Sequence, residues 1–383
     1  MASPEKSPAA ARWAIMMIFL LHGFLMGGWV TQIPLAKERL DAGLGLFGVA
    51  LLSFAAGAVL AMPLTGVAIN RYGSARLTWI MGLAYAALLF GPAYAPSLPL
   101  FMLSGVALGA AVGSTDVAMN AHGLAVEKAL RKPVMSGLHG GFSVGAALGT
   151  IGGAALLKAL GTGWQLPIIA GLGALGVLVS ARYFLPASVD KGLSGSHFAW
   201  PTKATIGLGA LCFLALMIEG SVADWAAIMF HSRFTIEAST AAMAFGFYQA
   251  GMAISRFTGD LLRQRFGAVQ LVAVSSVLTA VGTAGGLLIP NVPLAMLSLT
   301  LGGIGIGNVA PVLFAGGGRL EPDAPGRGIA AVTTLGYSGF LAGPPLIGMV
   351  AQVTNLQIAL FITVVAALII AVSARMVRAA DTY

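Results

Sequence analysis

Four of the thirteen acidic residues in this 383-residue chain, Asp116, Glu219, Asp224 and Asp260, stand inside long apolar runs. Arg256 and three histidines, His22, His122 and His139, stand inside such runs as well. A charge held in hydrocarbon costs about 2.5–3.5 kcal/mol on insertion scales. Such side chains therefore face a cavity or a partner, and they are candidates for function. Asp116 lies in Gly113-Ser-Thr-Asp116-Val-Ala-Met-Asn120-Ala-His122. Asp116 and Asn120 are four residues apart and share one helix face. Gly105, Gly109 and Gly113 form a neighbouring small-residue stripe that lets a second helix approach closely. The polar face is expected to look into a central cavity. A carboxyl group taken out of water can exchange its proton near neutral pH, as a proton-coupled carrier requires.

The other candidates admit more than one role. Glu219 and Asp224 are five residues apart, about 140° around a helix, and so are not expected on one face. A cavity role is the functional reading of both; a salt bridge or gate contact is the bland one. Trp225 is expected in an outer aromatic belt, and Trp29 in that belt or against a solute ring. Arg256 and Asp260 are spaced for an ion pair within one helix, which explains both without a substrate. The alternative is an anion site around Arg256. His139, in Ser136-Gly-Leu-His139-Gly-Gly-Phe-Ser143, and His22 are either packing residues or proton relays. Gln32 and Asn308 are further cavity candidates. Gly302-Gly-Ile-Gly-Ile-Gly307 has glycines like those of a nucleotide-binding loop, but no strand precedes it and it lies in an apolar run. The single cysteine, Cys212, allows no intramolecular disulfide. No metal site, cofactor or enzyme active site is expected, because no His-x-x-x-His pair with a matching Glu is present.

The elements that must position these groups follow from composition. Hydrophobic residues make up 58% of the chain and charged residues 9%, and the mean hydropathy is +0.90. A soluble domain carries about 25% charged residues, so most of this surface must face lipid. Twelve apolar runs fall at 13–36, 44–70, 77–98, 99–126, 133–157, 163–181, 204–230, 238–262, 268–290, 292–318, 328–351 and 354–374. Each is long enough to span a bilayer as a helix. The net charge of +8 suits a membrane protein with basic loops held on one side better than a nucleic-acid binder. Sixteen of the 21 Lys and Arg residues lie in the tails and the even loops, and four lie in the odd loops. That bias predicts a multi-pass inner-membrane protein with both termini cytoplasmic.

The two halves repeat. A shift of 194 residues carries Gly57 onto Gly251, Gly109 onto Gly303, Gly145 onto Gly339 and Arg71-Tyr-Gly73 onto Arg265-Phe-Gly267. The domains are read as residues 1–185, a six-helix half; 186–203, a cytoplasmic linker; and 204–383, a second six-helix half. Such a parallel repeat places a solute site at the midplane between the halves.

Gly66-Val-Ala-Ile-Asn70-Arg71-Tyr-Gly73-Ser-Ala-Arg76 resembles the signature after helix 2 of the major facilitator superfamily, with Asn70 where the family has Asp. Gly259-Asp260-Leu-Leu-Arg263-Gln-Arg265-Phe-Gly267 is a looser second copy. The resemblance covers the whole chain. It implies an all-α membrane fold of twelve transmembrane helices in two six-helix halves. It also implies a cytoplasmic latch of Gly66, Asn70, Arg71, Gly73, Arg76, Asp260 and Arg265 that breaks and remakes as the halves rock. The acid-x-x-x-Asn pattern at Asp116 and Asn120 is similar to the fucose-permease branch and related bacterial inner-membrane carriers. That implies a helix 4 acid that couples protons and touches sugar, although the branch's helix 1 Asp is absent near Val30. Gly145-Ala-Ala-Leu-Gly149-Thr-Ile-Gly-Gly153 is close to a drug-antiporter signature, one residue short and without its Pro. Gly343-Pro344-Pro345 suits a bending gate helix. The leading expectation is a monomeric, proton-coupled symporter of a small polar, sugar-like solute. The alternative is a proton-driven drug or metabolite exporter, and a non-transporting receptor is a third possibility.

Overall fold

The computed structural model describes residues 7–190 and 199–381. Lys6 and the linker residues 191–198, which include Lys191, lie outside the described residues. Among the described residues, nine helical segments are long and apolar enough to cross a membrane. In order, α1 is Pro8–Arg39, α2 Leu44–Tyr72, α3 Ser74–Tyr94, α4 Leu98–Leu130, α5 Met135–Leu160, α6 Thr162–Ala181 and α7 Ile206–Phe234. The next, Ala238–Leu288, runs for 51 residues and is two spans joined at Gly267. We number these α8 (238–266) and α9 (268–288). Then come α10 Val292–Leu320, α11 Pro325–Val353 and α12 Leu356–Val372. Twelve spans were expected, and the described residues form twelve helices that correspond to them.

Local chemistry sets the ends and the breaks. Gly73 and Gly267 take φ of 84° and 77°, a region that costs a glycine little, and turn the chain from α2 to α3 and from α8 to α9. Asn291 and Asn355 cap α10 and α12 by accepting from the amides of Leu294 and Ile358 at 3.1 and 2.9 Å. α1 breaks at Thr31–Gln32 just before Pro34, and α10 breaks at Gly307–Asn308.

The repeat seen in the sequence is a repeat of contacts. α1 packs on α5 as α7 packs on α11, and α2 packs on α4 as α8 packs on α10. A Cβ on Gly57 would collide with the Val106 carbonyl; on Gly251 it would collide with the carbonyl of Thr300, 194 residues later. Gly109 against Phe54 and Gly303 against Tyr248 repeat the relation. The halves meet along two long seams, α5 on α8 and α2 on α11.

Each half is closed by a carboxylate that no motif or apolar run marks out. Asp190, in a short 3-10 turn after α6, accepts from the Ser74 amide at 2.7 Å and the Ser74 hydroxyl at 2.6 Å. Asp381, beyond α12, accepts from the amides of Ala268 and Val269. Both therefore cap the helix that follows a left-handed glycine, where free amides and the helix dipole favour an anion. His122, one of the intramembrane histidines, belongs to the first joint. Its ring meets the Ser74 hydroxyl at 3.0 Å and the Leu185 amide at 3.3 Å.

Asp190→Ala is expected to cost about 1 kcal/mol, the usual worth of an N-cap. Thermal unfolding of the detergent-solubilised protein checks this, with exposed Asp260→Ala expected to leave the midpoint unchanged.

Candidate functional site

A cavity of about 580 Å³ lies between the halves. Helices α1, α2, α4 and α5 supply one wall, and α7, α8, α10 and α11 the other. At the end of the bundle away from the termini, the halves close over it. There the Gly45 amide at the start of α2 donates to Gln352 of α11 at 3.1 Å. Trp225 wedges between Gly48 and Gly348 and is 0% exposed, which corrects its expected place in an outer aromatic belt. Toward the terminal end, the cavity continues past Met62, Met135, Asp260 and Arg263, with Asp260 exposed. The cavity is therefore open toward the end that carries the termini.

Asp116 is on the wall, and Asn120 lies behind it rather than on it. The Asn120 amide donates to the Asp116 carboxylate at 3.1 Å and to its backbone carbonyl at 2.8 Å. The stripe Gly105, Gly109, Gly113 packs on Ser53, Phe54 and Ala58 of α2, which turns the Asp116 face inward. Glu219 and Asp224 both line the cavity, contrary to the expectation from their spacing. The wall residues of α7 are Leu216, Glu219, Gly220, Ala223 and Asp224, a stripe broad enough to hold both acids at its two edges.

Arg256 joins the walls, and its pairing differs from expectation. Among the described residues its ion-pair partner is Glu219, at 3.5 Å, not Asp260 one turn along its own helix. The same guanidinium donates across the seam to the Ser143 hydroxyl at 2.7 Å and the His139 carbonyl at 3.4 Å on α5. It lies 6.0 Å from the Phe142 ring centre. Both side chains of the pair are mostly shielded, at 12% and 16% exposure. α8 leans on α5 and α7 at this level, so Arg256 meets acids across helices before it could fold back on Asp260.

His22 and His139 line the cavity as well. His22 is packed between the Tyr85 and Phe142 rings, at 5.1 and 5.7 Å, and its Nδ1 has no partner among the described residues. His139 meets the edge of Phe19 at 5.2 Å. Asn308, at the break in α10, faces the cavity and donates to the Ser255 carbonyl at 3.0 Å. Gln32 is not a cavity residue. It is buried at the break in α1 and donates to Gln165 of α6 at 2.5 Å, a joint within the first half. Gln249 and Tyr337 are wall residues that a search for ionisable groups in apolar runs passes by, since neither is charged at neutral pH. Gln249 is 1% exposed, with its carbonyl oxygen unpartnered among the described residues.

The signature residues are divided. Gly66 is buried in α2, and Gly73 makes the turn into α3. Asn70, Arg71, Arg76, Asp260 and Arg265 are exposed, and among the described residues none is in an ion pair. Arg71 and Arg265 lie over the rings of their neighbours Tyr72 and Phe266. Bonding at these turns is carried by Asp190 and Asp381 instead.

Two six-helix halves in parallel repeat, enclosing a charged cavity open to one end, are the architecture of a multi-pass membrane transporter. The family model described as Major Facilitator Superfamily matches residues 15–223, and the chain belongs to that superfamily of secondary transporters. An uncharacterised MFS-type transporter of Yersinia pestis is 32% identical over 371 residues, covering 94% of each chain. Membrane protein MosC of Rhizobium meliloti is 29% identical, over 94% of this chain and 88% of that one. Among solved structures, a mutant form of the nucleoside transporter NupG shares the fold, with a TM-score of 0.74, 16% identity, and coverage of 96% of this chain and 99% of that one. A bacterial homologue of the lysosomal transporter Spinster, inward-facing and occupied, has a TM-score of 0.71 at 14% identity over 98% and 97% of the two chains.

Removing either partner of the Glu219–Arg256 pair leaves the other uncompensated in a poorly solvated place. Glu219→Ala and Arg256→Ala should each lower the thermal midpoint, and the double variant should recover part of the loss. The expected coupling is about 0.5–3 kcal/mol. The same cycle between Arg256 and Asp260 should give none.

Proposed function

We propose that this protein is a proton-coupled symporter that carries a small polar, sugar-like solute by alternating access across the inner membrane. The observation that carries the reading is the gathering of Asp116, Glu219 and Asp224, with Arg256, in one cavity between the halves. Asp116, Glu219, Asp224 and Asp260 outnumber the two arginines of the wall, Arg256 and Arg263, so the cavity does best when it holds protons or a ligand rich in donors. Asp116 is the proposed coupling acid. Among the described residues its hydrogen bonds come from Asn120 on its own helix, so its proton can change without breaking the contact between the halves. The charge bias supports cytoplasmic termini, and on that orientation the open end of the cavity faces the cytoplasm. Arg71, Arg76 and Arg265, in no ion pair among the described residues of this inward-open form, are proposed to find latch partners when the cytoplasmic ends close. The proposed halves follow the boundaries read from the sequence, and the protein is taken to act as a monomer.

A second reading rests on the rest of the wall. Met26, Val30, Leu51, Phe54, Met62 and Phe340 line the same cavity and would suit an exported lipophilic compound. Ligand-induced thermal stabilisation separates the two. Sugars, amino acids and organic acids are tried against lipophilic cations, at two pH values. A polar hit favours the symporter, and a lipophilic-cation hit favours the exporter.

With a stabilising polar solute in hand, liposomes under an inward proton gradient should accumulate it. Asp116→Asn should abolish accumulation while solute exchange at equal pH continues. Accumulation at the wild-type level in Asp116→Asn liposomes would overturn the assignment.

A further inference from the structure

Far from the cavity, at the closed end, a second ionisable group bridges the halves. His231 lies in the last turn of α7, and Glu38 lies near the end of α1. The His231 Nε2 is 2.6 Å from the Glu38 carboxylate, and its Nδ1 is 2.5 Å from the Ile236 carbonyl. A carbonyl only accepts, and an ionised carboxylate only accepts. Two N–H donors are needed to make both bonds, and a neutral imidazole has one. The arrangement closes only with an additional proton, held as imidazolium beside carboxylate or shared between the ring and a carboxylic acid. The Ile236 bond stays within the second half. The Glu38 bond crosses to the first, so it must break if this end opens.

The pair is reachable from solvent. His231 is 28% exposed and Glu38 56% exposed, and both line a groove of about 540 Å³ with Pro34, Lys37, Thr235 and Glu237. The charged groups around it are few. Lys37 and Glu38 come from α1, and Glu237 precedes α8 and meets Lys158 of α5 at 3.9 Å. Arg233 is turned away, bonded to the carbonyls of Gly286 and Leu288, and Arg39 is bonded to those of Pro92 and Ala95.

We propose that Glu38 and His231 are a proton-binding gate site, outside the cavity, at which a proton taken from the far side of the membrane locks that end shut. The joined state holds one proton more than the parted state. Raising the pH removes that proton and therefore weakens closure, and lowering it strengthens closure. The reading of alternating access gives the site its consequence for transport, but the proton requirement stands on the two bonds alone.

The test needs no substrate. Cysteines replacing exposed Asp41 and Thr354, on either side of the closed end, carry spin labels in a Cys212→Ser background in nanodiscs. Double electron–electron resonance then reads the joined and parted populations. In the otherwise wild-type protein, the ratio of joined to parted should fall by at least about fivefold from pH 5.5 to 8. His231→Gln, which keeps one donor toward Glu38, should flatten the response, and Glu38→Gln, on the other half, should do so independently. Asp116→Asn should respond as wild type does, whatever it does to transport. The proposal is overturned by a pH-independent wild type, by an undiminished response in both gate variants, or by loss of the response in Asp116→Asn, which would move the titrating group into the cavity.

Discussion

Helices in a bilayer gain nothing from hiding apolar surface from one another, because lipid is as apolar as they are. What joins them is close packing, and close packing needs backbones that can approach. Glycine pressed onto a carbonyl of the neighbouring helix is the contact on which this structure depends, at Gly57, Gly109, Gly145 and Gly149 in one half and at Gly251, Gly303 and Gly339 in the other. These contacts fix how α4 rolls against α2 and α5 against α1. They therefore decide which side chains face the space between the halves. Asp116 faces the cavity because the three glycines beside it are occupied by α2.

The two seams differ in character. α2 and α11 meet mainly at the closed end, through Gly48, Gly348, Trp225 and Gln352. α5 and α8 stay together along their lengths, from Ser136 and Gly140 near one end to Thr150 and Ile151 near the other. A seam of the second kind can serve as an axle while the first opens and closes. Arg256 sits on that axle and is tied at once to α5 and to Glu219. A change of charge at Glu219 is thus felt at Arg256, which bonds to both halves.

The sequence makes the architecture readable for a physical reason. The cost of charge in lipid sorts basic residues into alternate loops, and a repeat of 194 residues survives because glycines at close approaches have no substitute. Asp116 is readable by the same rule, as a charge where lipid forbids one. The partners are less so. A helical spacing suggests Asp260 for Arg256, but the packing angle of α7 on α8 supplies Glu219 instead. Gln32 has the look of a cavity residue, yet only the three-dimensional break in α1 shows that Gln165 claims it. Trp225 looks interfacial by type and is core by position. Asp190 and Asp381 leave no local trace at all, since each bonds to a turn more than 100 residues earlier.

Those two closing carboxylates also bear on how the chain is made. Every bond described at the joint of α2, α3 and α4, namely Ser74 with Asp190 and His122, and His122 with Leu185, comes from residues up to 190. A ribosome that has delivered Asp190 has delivered all that the first half needs to fasten itself. The second half is fastened by Asp381, beyond α12, so it stays unfastened until its last helix has been made. The repeat thus gives each half its own moment of completion, reached when its closing carboxylate has been made.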